Sequence, residues 1–499
     1  MRKTALSMPS SSRSVNLTQW LIIIVASIGF LFDTYQLLMT PLVGPPAISE
    51  LLRVPLSNQA VSTWMGKLLW YSALCGGAFG LLGGWLIDRL GRKFVMALGI
   101  LIYSFSPVAG AFSQSIESFV FWRCCTFVGV CIEFVAAITW IAEVFSDKGQ
   151  REKWLGITQL FASLGGVLVT AVNFWIVAHA KDLPHFNMPM ALGAVDPSSW
   201  RYLLLTGIAP ALLIALMLPF VPESQIWRER KKAGTLKRPS FGALFSPELR
   251  RATLVTAGVS ACAYGVAFGA LQLTPGRIAP GLPNLAEERK SLKPLVDEAK
   301  QFNATFDATQ PGTPERKAAL EPIKANAAKQ KPIMDKVKSV GNATQFYQEM
   351  GGLAGRIALA LLIIAGIGRR FLLKMLQLPG VIILPVLYFV LYKQDATVFS
   401  WGIACAGFVV MSQLSFLGEY LPKVFPLHLR GTGGSFATNV GGRMIGTSAA
   451  FVTPWLAQKF AGSPYDQMAL AAGCVATAMV VIALLLGLFL PEPKAEIVE

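Results

Sequence analysis

Long apolar runs dominate the chain, and short polar stretches separate each run from the next. A helix needs about 20 residues to cross the roughly 30 Å hydrocarbon core of a bilayer. The pattern therefore predicts twelve membrane-spanning helices. The predicted spans are 17–42, 62–87, 94–113, 117–145, 154–178, 200–221, 252–275, 353–372, 376–392, 397–420, 431–458 and 467–490.

Composition agrees with this pattern. Of the 499 residues, 54% are hydrophobic and only 14% are charged, whereas soluble domains carry about 25% charged residues. The chain is therefore expected to be an all-α membrane protein of two pseudo-symmetric six-helix halves. The net charge of +16 does not indicate nucleic-acid binding, because the cations lie in short loops between spans. These loops face the lipid headgroups, so membrane lipid is an expected partner.

Cysteine and nucleotide motifs exclude other classes of protein. All seven cysteines fall inside apolar runs, so they are typical of small membrane-helix residues and predict neither disulfides nor a metal site. The sequence has no Gly-x-x-x-x-Gly-Lys-Ser/Thr loop, which argues against an ATP-driven pump. We expect no enzyme activity, no cofactor and no metal.

The distribution of cations predicts the orientation. Lys and Arg concentrate in the N-terminal tail, in the 2–3, 4–5 and 8–9 loops, and in the linker after the sixth span. The alternate loops are poor in cations, so both termini and the linker are expected to be cytoplasmic, in an inner or plasma membrane. The first run lacks a small-residue cleavage site, and we interpret it as a retained helix.

The same pattern predicts the domain boundaries. An N-terminal half (1–221) and a C-terminal half (252–490) are joined by a basic linker (222–251), and a short tail (491–499) follows. The fragment Gly366-Ile-Gly-Arg-Arg370 after the eighth span is a weak copy of the turn after the second span, without its acid.

A polar insertion, 276–352, interrupts the second half on the predicted outer side. It carries 12 Lys/Arg and 9 Asp/Glu, and Pro311-Gly312 divides it into two Ala/Lys/Glu-rich stretches. This pattern predicts a helical hairpin outside the membrane. The hairpin is either a solvated insertion or an element that docks a protein partner.

Four ionisable residues lie deep in predicted spans, where charge is costly and a functional role is the first hypothesis. They are Asp33 in the first span, Arg123 and Glu133 in the fourth, and Arg443 in the eleventh. The carboxyls form either buried ion pairs or a proton site. Arg443 either pairs with an acid or binds an anionic substrate, because guanidinium grips carboxylate with two hydrogen bonds.

The turn after the second span packs one acid, three cations and two glycines into ten residues, running from Gly84 through Asp88, Arg89, Gly91 and Arg92 to Lys93. It is either a charged loop held at the headgroups or a latch that holds a gate shut. The latch hypothesis predicts that Asp88 pairs with cations and helix ends near the fourth, fifth and eleventh spans.

These motifs resemble the major facilitator superfamily over essentially the whole chain apart from the insertion. The turn resembles that family's Gly-x-x-x-Asp-Arg-x-Gly-Arg-Lys signature. Glu143 through Arg151, Pro222-Glu223-Ser224 and Glu419 through Arg430-Gly431 resemble further family signatures. The Phe-Asp-x-Tyr sequence at Asp33 and the acid ten residues after Arg123 are similar to the metabolite:proton symporter and sugar-porter branches.

The resemblance implies roles for individual residues. Asp33 and Glu133 would couple protons, and Arg123 would modulate them. Gating residues would be Gly84, Asp88, Arg89, Gly91, Arg92, Glu143, Arg151, Glu223, Glu419 and Arg430. Candidate substrate-binding residues are Arg443, Asn439, Gln159, Trp140 and Tyr35.

The expected function is secondary active transport of a small polar, anionic organic solute by alternating access, coupled to protons. Two alternatives remain open: a uniporter for a neutral, sugar-like solute, and a membrane sensor or assembly protein that uses 276–352 to bind a partner.

Overall fold

The computed structural model of the protein describes residues 15–52, 54, 59–145, 148–179, 182–183, 199–235, 239–309 and 314–492. Every regular element in these residues is helical. The helices of the first half are α1 (Leu17–Leu52), α2 (Gln59–Leu90), α3 (Arg92–Ala111), α4 (Ile116–Val144), α5 (Lys148–Ala178), α6 (Ser199–Leu205) and α7 (Ala209–Met217).

The linker holds the short helix α8 (Gln225–Lys232), and the second half follows. Its helices are α9 (Arg250–Gly269), α10 (Ala286–Asp307), α11 (Pro314–Ile364), α12 (Arg369–Pro385), α13 (Ala396–Val424), α14 (Arg430–Ser435), α15 (Ala449–Ala457) and α16 (Pro464–Gly487).

Ten helical segments among the described residues are long and apolar enough to cross a membrane. They account for ten of the twelve predicted spans. The other two predicted spans, 200–221 and 431–458, are also helical, but irregular turns interrupt them. A 3₁₀ turn separates α6 from α7, and a π-helical segment (Phe436–Ile445) separates α14 from α15.

Several predicted boundaries were wrong. α1 continues to Leu52, ten residues beyond the predicted end of the first span, and α12 begins seven residues before the predicted start of the ninth span. The eighth span was expected to reach residue 372, but α11 ends at Ile364 and α12 begins at Arg369. Gly366 has a φ of 76° in the turn between them, a conformation that favours glycine. The turn residues 365–368 are apolar and continue the hydrophobic run of α11 up to Arg369, so the apolar pattern alone did not reveal where the helix ends.

The insertion is a pair of antiparallel helices. α10 packs against the first part of α11, with Ala299, Phe306 and Ile323 buried between them. The polar link between Asn326 Nδ2 and Glu298 Oε2 is 3.0 Å long. α11 has 51 residues and continues without a break from the hairpin into the eighth span. The predicted break at Pro311-Gly312 lies outside the described residues.

The two halves have separate apolar cores. One buried cluster lies within 22–221, and two others lie within 244–490. The halves meet mainly along two lines, where α2 packs against α14 and the π-helical segment, and where α5 packs against α11. Small residues allow close contact at both lines. Gly84 on α2 lies against Ser435 on α14. On the other line, a Cβ added to Gly156 on α5 would lie 3.2 Å from the Cβ of Ala360 on α11.

Candidate functional site

Two carboxyl groups lie beside each other in the interior of the first half. Asp33 on α1 is 4% exposed and Glu133 on α4 is fully buried. Among the described residues, no group donates a hydrogen bond to their four side-chain oxygens. Gly29 provides the space for Glu133, because a Cβ at this position would overlap Oε1. The structure therefore places two acids in one poorly solvated space.

Arg443 approaches these carboxyls from the second half. Its guanidinium interacts electrostatically with both Asp33 and Glu133, and it lies 5.6 Å from the centre of the Phe134 ring on α4. Cys131 on α4 and Tyr264 on α9 are its other close neighbours. The cluster of Asp33, Glu133 and Arg443 thus joins the two halves.

A chain of hydrogen bonds anchors Arg443. Its Nη1 donates to Asn439 Oδ1 at 2.8 Å, and Asn439 Nδ2 donates to Ser435 Oγ at 2.7 Å. Ser435 Oγ in turn donates to the carbonyl of Gly80 on α2 at 2.6 Å. Arg443 and Asn439 lie in the π-helical segment, a distortion that is frequent at functional sites.

The hydrogen-bond partners of Arg123 are not the carboxyls of Asp33 and Glu133, although its expected role is to modulate them. Its Nη2 donates to the carbonyl of Gln36 at 2.9 Å and to Thr40 Oγ1 at 2.5 Å, both on α1. The side chain is fully buried. In this structure Arg443, rather than Arg123, is the cation that acts on the carboxyl pair, and the modulating role of Arg123 stays a prediction.

The other candidate substrate residues occupy varied positions. The hydroxyl of Tyr35 lies 2.5 Å from Thr206 Oγ1, so it links α1 to the sixth predicted span. Trp140 is fully buried in the core of the first half. Gln159 lies on α5, but its side chain is outside the described part of the structure. Their contact with substrate stays a prediction.

Asp88 binds the beginning of a helix in the opposite half. Its Oδ1 accepts a hydrogen bond from Gly431 N at 3.0 Å, and its Oδ2 accepts from Thr432 N and Thr432 Oγ1, each at 2.8 Å. These two backbone N–H groups are in the first turn of α14, where no intrahelical acceptor exists. The carboxylate caps this helix and faces the positive end of its dipole.

Arg92 connects several elements at the same end of the molecule. It is fully buried, and its Nη2 lies 2.9 Å from Glu143 Oε1 and 3.4 Å from Asp88 Oδ1. The same nitrogen donates to the carbonyl of Leu427 in the second half at 3.1 Å. Glu143 Oε2 accepts from Ser224 Oγ at 2.5 Å. The network therefore spans both halves and the linker.

Glu223 caps the helix that follows the charged turn. Its carboxylate accepts hydrogen bonds from the backbone N–H groups of Arg92 at 2.9 Å and Lys93 at 3.0 Å. Gly91 has a φ of 108°, and a Cβ there would overlap the Glu223 carboxylate. Only glycine fits this position without strain.

The second half contains a partial copy of this network. Arg369, at the start of α12, donates to Glu419 Oε1 near the end of α13 at 2.9 Å. The backbone N–H of Arg370 donates to Glu492 Oε1 at 3.3 Å. Arg92 with Glu143 and Glu223 thus has a counterpart in Arg369 with Glu419 and Glu492. The residue equivalent to Asp88 is Ala365, so the copy lacks the acid that crosses between halves.

The remaining gating candidates differ in their contacts. Arg430 Nη1 lies 3.8 Å from Glu143 Oε1 and so adds to the network. Arg151 is nearly buried at the start of α5. Arg89 instead lies over the Trp85 ring at 4.9 Å, on the exposed side of α2.

Two residues that the sequence did not single out belong to the interior charge system. Arg356 on α11 donates from Nη1 to Ser163 Oγ on α5 at 2.9 Å, across the interface between halves. The sequence feature that could have identified Arg356 is its position as a single cation at the start of the apolar run after Gly351-Gly352. Tyr103 on α3 is fully buried near Asp33 and Glu133. Nothing in the sequence distinguishes Tyr103 from an ordinary packing aromatic.

The comparison with protein families agrees with this architecture. The family model of the Major Facilitator Superfamily matches residues 13–286. Two solved structures share the fold. The proton:xylose symporter XylE has a TM-score of 0.61 and 18% identity, and the match covers 96% of this chain and 98% of that one. The human organic anion transporter MFSD10 has a TM-score of 0.55 and 16% identity, and the match covers 95% of this chain and 99% of that one. The chain belongs to the Major Facilitator Superfamily, and its apolar helices identify it as a multi-pass membrane protein.

Curated relatives match over shorter stretches. Mouse synaptic vesicle glycoprotein 2B is 27% identical over 209 residues, which cover 41% of this chain and 28% of that protein. The glucose transport protein of Synechocystis sp. is 33% identical over 153 residues, covering 30% and 31%. The cis,cis-muconate transport protein of Acinetobacter baylyi is 27% identical over 197 residues, covering 38% and 43%. The matched stretches span less than half of each of these relatives.

Proposed function

We propose that the protein is a secondary transporter that carries a small organic anion together with protons by alternating access. The observation that carries this proposal is the position of Arg443 beside Asp33 and Glu133. A buried guanidinium that lies beside two carboxyls of the opposite half can bind an anionic substrate, and its charge also changes the proton affinity of those carboxyls.

Charge balance gives a coupling mechanism. Arg443 supplies one positive charge against two carboxyls, so the cluster is neutral when one of the carboxyls is protonated. An anionic substrate would bind the Arg443 guanidinium in place of the ionised carboxyl. That carboxyl would then gain a proton from the side of the membrane to which the site is open. Release of the substrate on the opposite side would return Arg443 to the carboxyls and expel the proton.

The two separate cores support the conformational part of the proposal. Each half can move as a body while the contacts at α2 with α14 and at α5 with α11 change, as in other transporters built from repeats. The network of Asp88, Arg92 and Glu143 would hold the halves together at one end. The basic linker favours a cytoplasmic location for that end and for both termini, in an inner or plasma membrane.

The relatives support a solute of the sugar or organic-acid type. One is named for glucose and another for the dicarboxylate cis,cis-muconate. Arg443 favours the acid, because a neutral sugar offers a buried guanidinium no charge partner. A uniporter for a neutral solute is the rival, with Asp33 and Glu133 as structural acids.

The test uses purified protein in proteoliposomes with a panel of organic acids and sugars. We expect uptake of an acid, together with alkalinisation of the outer medium measured by a pH-sensitive dye. Arg443→Gln should lose uptake at least tenfold, whereas Arg277→Gln, which alters an exposed arginine after α9, should retain it. Asp33→Asn should retain binding but lose the alkalinisation. Full acid uptake by Arg443→Gln, or uptake of a neutral sugar without proton movement, would disprove the proposal.

A further inference from the structure

Two rows of residues, each spaced by four positions, face each other between α2 and the helical segments that carry Arg443. The row of the second half consists of Gly431, Ser435, Asn439 and Arg443, and the row on α2 consists of Gly80, Gly84 and Asp88. A Cβ on Gly80 would lie 2.6 Å from Asn439 Nδ2, and a Cβ on Gly84 would lie 2.5 Å from the Gly431 carbonyl oxygen. One continuous contact between the halves therefore leads from the neighbourhood of Arg443 to the Asp88 cap.

The chemistry of the groups along this contact fixes the direction of each hydrogen bond. A guanidinium only donates, so the atom of Asn439 that faces Arg443 Nη1 is the acceptor Oδ1. Asn439 Nδ2 therefore faces Ser435 Oγ and donates to it. The Ser435 hydroxyl accepts this bond and donates its own hydrogen to the carbonyl of Gly80 on α2. Only one orientation of the Asn439 amide satisfies both of its neighbours.

The bond from Ser435 to the opposite half depends on a single hydroxyl hydrogen. Because the hydroxyl has only one, it donates either to the Gly80 carbonyl or to the Asn439 oxygen, but not fully to both. Asn439 and Ser435 are fully buried, so bulk water does not take the place of a lost partner. A buried acceptor without a donor is costly, and the orientation of the amide therefore depends on the donors that surround it.

We propose that Asn439 positions the Ser435 hydroxyl, and that its amide flips when Arg443 binds the anionic substrate and thereby breaks the hydrogen bond between Ser435 and Gly80. Once Arg443 Nη1 leaves Oδ1, the flipped amide presents Oδ1 to the Ser435 hydroxyl and Nδ2 to the substrate anion. The hydroxyl then donates to Asn439 and no longer to Gly80. Occupancy of Arg443 thus loosens the contact that continues to the Asp88 cap. This inference rests on the proposed anion transport.

The experiment measures how fast a thiol reagent labels a cysteine placed in the closed contact. Ile87 on α2 is fully buried against Gly431, so Ile87→Cys in the purified full-length protein reports opening at this end. The rate is measured with and without cis,cis-muconate, or with the acid of the uptake panel that wild type takes up fastest if muconate is not transported. The rate of the same protein without Ile87→Cys is subtracted. In wild type the acid should increase the labelling rate.

Ser435→Ala removes the bond to Gly80 in every state. Labelling without acid should therefore rise about threefold to tenfold, the factor that corresponds to one neutral hydrogen bond, and the increase caused by acid should shrink by the same factor. Reciprocity requires the acid to bind more tightly by up to that factor. Thr438→Val is the matched control, because it removes a buried hydroxyl of the same segment that donates to the Gly434 carbonyl at 2.9 Å, four residues before it. It should leave both labelling rates within twofold of wild type.

Asn439→Ala distinguishes a switch from a packing role. Without the amide, the Ser435 hydroxyl keeps its bond to Gly80 whether or not the acid is bound. Labelling without acid should therefore stay within twofold of wild type, whereas the increase caused by acid should shrink. A residue that only packs would raise the labelling rate without acid in Asn439→Ala as much as Ser435→Ala does.

Three results would overturn the switch and leave the proposed function standing. They are a wild type that takes up an acid without faster labelling, Ser435→Ala with the labelling rates of wild type, and Asn439→Ala with a raised rate in the absence of acid. A wild type that takes up none of the acids would overturn both the switch and the proposed function.

Discussion

The Asp88 carboxylate on α2 accepts a 3.0 Å hydrogen bond from the backbone N–H of Gly431, the second residue of α14 in the opposite half. An acid of the first half therefore caps a helix of the second half. Any motion that separates the halves at this end has to break that cap and expose both groups.

Asp88→Asn should therefore slow turnover more than it weakens substrate binding. Asparagine keeps an acceptor oxygen but loses the charge that favours the helix dipole, an interaction worth up to about 2 kcal/mol when partly buried. That energy corresponds to roughly a 30-fold change in the equilibrium between closed and open forms of this end. Uptake rate and equilibrium binding on the same preparation would separate the two effects.

A matched control for Asp88 is Asp395→Asn. Asp395 also caps a helix, since it accepts from Thr397 N at 3.0 Å, but it caps its own α13. Its replacement should leave turnover within about twofold of wild type. Equal turnover in the two variants would indicate that the charged turn is only a loop held at the lipid headgroups.

Gly29→Ala should disrupt proton coupling although it adds only one methyl group. The new Cβ would overlap Glu133 Oε1 and lie 2.9 Å from Glu133 Cδ, so the carboxyl has to shift from its position beside Asp33. We expect a tenfold or larger loss of proton-driven uptake. Gly66→Ala on α2 is the control, because no atom outside its own helix lies within 4 Å of the added Cβ. It should be neutral or stabilising by up to about 1 kcal/mol. Normal coupling in Gly29→Ala would show that the position of the Glu133 carboxyl is not critical.

Arg92→Gln and Arg369→Gln form a pseudo-symmetric pair. Each removes one partner of a buried ion pair, which costs about 3–5 kcal/mol, so both should lower thermal stability in detergent. Arg92 in addition bonds the Leu427 carbonyl across the halves, whereas Arg369 bonds Glu419 within its own half. The Arg92 variant should therefore alter the accessibility of engineered cysteines at the closed end more strongly. The opposite order would contradict a latch concentrated in the first half.

The contact between Arg356 and Ser163 predicts a measurable coupling between halves. Ser163→Ala removes the acceptor of a 2.9 Å hydrogen bond, and Arg356→Gln removes its donor. A double-mutant cycle on thermal stability should give a coupling energy of about 1–2 kcal/mol, since one partner is charged. Additive effects of the two changes would mean that the bond contributes nothing to holding the halves together.

The residues of the candidate site show how far sequence reasoning reached. Asp33, Glu133 and Arg443 stand out because charges are rare in apolar runs, and the structure brings these three together. Arg123 stands out for the same reason, yet it is bonded to Gln36 and Thr40 on α1. Rarity identifies a charge in a span as a candidate, but its partner depends on how helices rotate against each other.

The sequence by itself determined the helical membrane architecture and the helical hairpin of the insertion, and it identified the charged residues that are candidates for the site. Hydrophobic length and turn chemistry are local properties, and a bilayer leaves a chain few alternatives to helices. Only the tertiary structure decided that Arg443 is the counter-ion of the carboxyl pair, that Tyr103 lies beside it, and that Asp88 caps α14. Asp88 and Gly431 are 343 residues apart in the chain, and their contact depends on packing between two halves. No local pattern encodes such a contact.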